Sequence, residues 1–203
     1  MKKIFYILLC AAMIAVLLSC NSVQPKSPVN VIMPSSLTAE QQDIIDLLSL
    51  PSNQELLLFD FNTVESFSDL EVWVEVYQDG ILVDRPAGVG AHSNTAENRS
   101  GHLAITVNLI DSNYQWILSV VENNGKSGHI GTTKAPTEFG LARAFGSINE
   151  AVEIEDGKEI ILYSSVFSKN NFLTFYDGTT LQERPELLNE YPYTHLVKVM
   201  FTK

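Results

Sequence analysis

The sequence predicts a mainly β domain, an antiparallel β-sandwich or flattened barrel with one N-terminal amphipathic helix. Three observations carry that reading. Beyond Pro51 the apolar residues recur with a period of 2, not 3.6. Short turn-forming runs such as Asp79-Gly80, Asn123-Asn124-Gly125 and Asp156-Gly157 separate the alternating segments. Hardly any helical run lies between them, so the strands follow one another without the crossovers that a parallel sheet requires.

The N-terminus has the layout of an export signal. Lys2 and Lys3 precede an apolar run over residues 4–18, and the small Ser19 precedes Cys20. That run is shorter than the roughly 20 residues a membrane-spanning helix needs, and the polar Asn-Ser-Val-Gln-Pro-Lys follows it. Leu17-Leu18-Ser19-Cys20 resembles the lipobox of bacterial lipoproteins. The resemblance implies that residues 1–19 are removed and that Cys20 is acylated, as by palmitate. The lipid would then hold the chain on the extracytoplasmic face of the membrane.

Such processing leaves 11 basic residues against 24 acidic ones, a net charge near −13, and Cys20 as the single cysteine. No disulfide is then possible, and a folded region of this length can bury enough apolar surface without one. The acidity repels phosphate backbones, so nucleic acid is excluded as a partner. It also disfavours anionic headgroups, which leaves the lipid on Cys20 as the membrane contact.

Residues 20–35, with Pro25, Pro28 and Pro34, read as a lipidated cysteine followed by an extended tether, and residues 36–203 as a single β-rich domain. Thr38 and Gln41 have capping-box spacing, and Ile44, Ile45 and Leu48 share a helical face until Pro51. The first strand is expected over residues 56–61. In residues 70–77 the apolar Leu70, Val72, Val74 and Val76 alternate with Glu71, Trp73, Glu75 and Tyr77, which gives a strand with one dry face. Asp79-Gly80 turns it into a hairpin with Ile81–Asp84. Further strands are expected over residues 103–109 and 114–121, then in a partner ending near Thr132, and over 159–167, 172–176 and 193–201, eight or nine in all. Residues 87–101 read as a polar loop, residues 135–147 as a loop or a short helix near 141–145, and residues 185–190 as a helical turn.

Trp73 and Tyr77 fall on the polar face of their strand beside Glu71 and Glu75. An aromatic platform flanked by carboxylates is a way to hold sugars, the ring stacking on C–H groups while the carboxylates accept from hydroxyls. The competing reading is that a helix or loop covers this face. Glu71 and Glu75 stand roughly 13 Å apart along a strand, beyond the roughly 5 to 9.5 Å of a glycosidase pair. His92, His102 and His129 flank loops and turns and are the candidate metal ligands, although their spacing matches no known pattern. His195 shares a strand face with Tyr193 and Val197, as a hydrogen-bonded core histidine would. Gly125-Lys126-Ser127-Gly128-His129 lacks the strand-to-helix setting of a nucleophile elbow, and no phosphate loop or dinucleotide fingerprint occurs.

Lipobox, tether, helix and β domain together resemble uncharacterised surface lipoproteins of Gram-positive bacteria. The resulting expectation is a non-catalytic module at the membrane surface, without a cofactor, that binds a surface glycan or a protein partner. A cell-envelope hydrolase with a loop-built site and a structural component of an envelope complex are the alternatives.

Overall fold

The computed structural model describes residues 30–47, 50–51, 53–93, 98–122, 125–136, 142–169 and 173–203. The expected signal sequence and Cys20 therefore lie outside the described residues. In chain order the first elements are β1 (Val31–Pro34), α1 (Ala39–Leu47), β2 (Gln54–Asn62), β3 (Asp69–Gln78), β4 (Ile81–Asp84), β5 (Gly88–His92) and β6 (Ser100–Ile110). There follow β7 (Asn113–Glu122), β8 (Gly125–Lys134), β9 (Ala142–Ser147), β10 (Val152–Glu153) and β11 (Glu159–Ser168). Then come α2 (Gly178–Glu183), a 3-10 helix (Pro185–Glu190) and β12 (Tyr193–Thr202).

The strands form two antiparallel sheets, and no closed barrel forms among the described residues. The first sheet has the order β10-β1-β2-β6-β7-β8; the second runs β4-β3-β12-β11-β9, with β5 also paired to β3. Alternation decides which residues meet between them. Phe59 and Phe61 of β2, Leu103, Ile105 and Val107 of β6, and Trp116 and Leu118 of β7 pack in one core with Leu70, Val72 and Val74 of β3 and Val197, Val199 and Phe201 of β12. Asp79 and Gly80 both take positive φ, 49° and 76°, which is the primed turn that matches strand twist in a two-residue hairpin.

The second sheet is also covered on its outer face. There Ile161 and Val166 of β11 and Leu196 of β12 pack under Leu181 of α2, Leu187 and Leu188 of the 3-10 helix, and Tyr191. Because this cap needs apolar residues on both faces of β11, the residues from Ile160 to Ser168 are all buried and the strand shows no alternation.

Several expectations change. The expected tether contains β1, which pairs with both β2 and β10 and buries Ile32 completely, so the folded body begins by Asn30 instead of residue 36. The expected polar loop contains β5 and the start of β6, because residues 88–92 sit in a ladder against β3 and Ser100 and Gly101 in one against β2. Residues 142–147 form β9, not a helix. Residues 173–176 are not a strand; they lead into the cap instead. Helix α1 is closed by the reciprocal hydrogen bonds of Thr38 and Gln41, at 2.9 and 3.2 Å, but none of its residues is buried. No helix among the described residues is long and apolar enough to cross a membrane.

Candidate functional site

Strand register builds a grid on the outer face of the second sheet, at the end the cap leaves bare. Trp73 lies between Gly88 of β5 and Lys198 of β12, and Glu71 between Gly90 and Met200. Met200 in turn lies opposite Glu159 of β11. Glu71, Trp73, Arg85, Gly88, Gly90, Glu159 and Met200 line a cleft of 440 Å³, within the usual size range of small-molecule sites. The cleft exists because Gly88 and Gly90 put no side chain on this face. A Cβ on Gly88 would find its nearest neighbour, the Trp73 Cβ, at 3.6 Å, and one on Gly90 would meet only the Leu70 carbonyl oxygen, at 3.7 Å. Larger side chains would fit the backbone and fill the space.

Beneath one wall sits Glu75, which is almost wholly buried. Its Oε1 accepts from the Trp73 indole N–H at 3.0 Å and from Arg85 Nη2 at 2.6 Å. Its Oε2 accepts from the Tyr77 hydroxyl at 2.6 Å and lies 2.8 Å from Lys198 Nζ, which also donates to Glu159 at 2.8 Å. Burial alone would raise the Glu75 carboxyl, but the hydrogen bonds from Lys198, Tyr77 and Trp73 outweigh it and hold the group at about 2. Burial, reinforced by the Glu75 carboxylate, pushes the Tyr77 hydroxyl up to about 12. Lys198 is raised as well, because its bonds to Glu159 and Glu75 overcome the cost of desolvation.

The four residues expected to form one binding face thus divide. Glu71 is exposed, makes no hydrogen bond or ion pair with any described residue, and faces the cleft. Trp73 is partly buried and also lines it, with its ring orientation fixed by the bond to Glu75. Tyr77 packs against the cap, so the competing reading of a covered face holds at that end of the strand. Glu75 is a hub whose oxygens already serve four donors. Arg85, Lys198 and the two glycines were not singled out by sequence. Their signals are a lone charged residue, Lys198, on the outward face that Thr194, Leu196, Met200 and Thr202 share, and a Gly-x-Gly alternation.

The histidines do not converge. His102 Nδ1 lies 2.7 Å from Asp60 Oδ1, His92 Nδ1 2.7 Å from Asp69 Oδ1, and His129 Nδ1 2.7 Å from the Gly88 carbonyl oxygen. Among the described residues no group of three or more His, Cys, Asp or Glu is placed to hold a metal ion. His195 is buried as expected but lacks the expected hydrogen bond: both ring nitrogens are without a partner among the described residues, enclosed by the rings of Tyr114, Trp116 and Phe167 at 5.0 to 5.4 Å.

The model of the YgaN domain family covers residues 31–201, from β1 to the end of β12. No curated protein and no solved structure matches the chain.

Proposed function

The chain belongs to the YgaN domain family, and from that footing we propose that it is a lipid-anchored extracytoplasmic module, of β-sandwich form, that binds its ligand without catalysis. The observation that carries the binding reading is the cleft. It is lined by an aromatic ring of fixed orientation, an unpaired carboxylate and a half-paired guanidinium, and two glycines keep it open. The charge states of two groups beside the cleft support the non-catalytic reading. Glu75 is locked as a carboxylate by four donors, and Lys198 is held as an ammonium by two carboxylates, so neither is poised to exchange a proton near neutrality. The lipobox-like Leu17-Leu18-Ser19-Cys20 supports the anchored location.

Feeding alkyne-palmitate to bacteria that express the full chain tests the anchor. The expected result is label on the wild-type chain in the membrane fraction and none on Cys20→Ala, which moves to the soluble fraction. Unlabelled wild-type chain overturns the anchor. For the cleft, thermal-shift screening compares the wild type with Gly88→Val against sugars, amines and peptides. A compound that stabilises the wild type alone supports the site, and equal shifts in both chains overturn it.

A further inference from the structure

Resting on the cleft as the binding site, we propose that its ligand is a neutral saccharide whose ring stacks on Trp73 while its hydroxyls meet Glu71 on one side and Arg85 on the other. The donor and acceptor inventory selects this class. Glu71 offers only acceptors and is unpaired. Arg85 is tied to Glu75 through Nη2 alone, and its side chain is 58% exposed, which leaves its other N–H groups as donors at the rim. A hydroxyl both donates and accepts, so hydroxyls at opposite ends of one ring satisfy a carboxylate and a guanidinium together.

Other classes each leave one of these groups opposed. An anion would meet Glu71, Glu159 and the carboxylate of Glu75 behind them, while a cation would meet Arg85 and Lys198. An extended peptide binds sheets by strand addition, which needs a free edge. Here β3, which carries Trp73 and Glu71, is paired on both sides, to β12 and to β4 and β5, so it offers an incoming strand no free edge. The bare backbone at Gly88 and Gly90 gives the flat ring its room, and the hydrogen bond to Glu75 keeps the indole from reorienting when the ring arrives.

The molecule carries its own internal control, because its two tryptophans are Trp73 in the cleft and Trp116, wholly buried in the core. Indole N–H resonances of the full chain, in a detergent without a sugar headgroup, are followed by NMR during titration with neutral hexose and N-acetylhexosamine oligomers. Parallel titrations use spermidine and a basic peptide. The expected result is that an oligosaccharide moves the Trp73 resonance and leaves Trp116 in place. Gly88→Val should abolish the effect. Glu71→Gln, at an exposed position with no partner to lose, should weaken binding on the order of tenfold. If spermidine or the peptide moves Trp73 and the sugars do not, the ligand class is wrong and the cleft stands. If none of the three moves it, the cleft falls with the inference.

Discussion

Glu75 and His195 are buried ionisable groups that drive the same acid response for different reasons. Glu75 titrates at about 2 in the fold against an ordinary 4.5, so its stabilisation is complete above 4.5 and is lost as pH falls from there toward 2. His195 is pushed from 6.5 down to about 3, chiefly by burial and then by the Arg143 guanidinium. Arg143 itself lies over the Tyr114 and Phe167 rings that face the imidazole. The folded chain therefore refuses a proton that the unfolded chain accepts below 6.5, and stability falls by about 1.4 kcal/mol per pH unit until Glu75 adds its share below 4.5. Urea unfolding at pH 6.5 and 4.5 should show a loss of about 3 kcal/mol in the wild type and under about 1 kcal/mol in His195→Leu. An equal loss in both would show that the histidine does not carry the response. Sequence alternation placed Glu75 on the same strand face as Trp73, but its four donors come partly from Arg85 beyond a turn and Lys198 at the far end of the chain. No local pattern announces such a partnership.

Among the elements, β8 and the link between β4 and β5 explain how the cleft keeps its shape. His129 of β8 holds the backbone of Gly88, and Gly131 of the same strand runs so close to that link that a Cβ there would overlap the Pro86 carbonyl oxygen. Gly131→Ala must push β8 off the rim, and overpacking of this kind costs about 1 to 3 kcal/mol. Gly125→Ala on the same strand, whose Cβ would stand 3.8 Å from the nearest atom, should cost under about 0.5 kcal/mol. Urea midpoints measure both, and equal losses would mean that close approach is not what the glycine serves. The hairpin of β3 and β4 could be read from Asp79-Gly80 because a primed turn has a local chemical signature. By contrast β1, four residues inside a proline-bearing stretch, and β5, built on glycines, owe their existence to partners distant in sequence, so local propensity hid them.

Across the whole molecule, the second sheet is the middle layer of three: the shared core lies on one side and the cap of residues 173–191 covers part of the other. The β-rich antiparallel character was legible because exposed faces force alternation. The third layer was written more faintly, in the continuous apolar run Ile160-Ile161-Leu162-Tyr163, which signals a strand covered on both faces. The layering fixes an order of local stability. Opening β11 or β12 exposes both apolar clusters at once, whereas β6 and β7 keep one face only partly buried along most of their length. At the other extreme β4 is an edge strand with all four residues exposed, and α1 buries none of its own. Native-state hydrogen exchange followed by mass spectrometry should therefore find the slowest amides in β11 and β12, intermediate ones in β6 and β7, and the fastest in β4 and α1. Leu188→Ala, which thins the cap, should speed β11 and β12 toward the rates of β6 and β7 without changing the order at the edges. If β6 and β7 instead outlast β11 and β12 in the wild type, the cap is a loosely held cover, and the stable unit is the first sheet with its core.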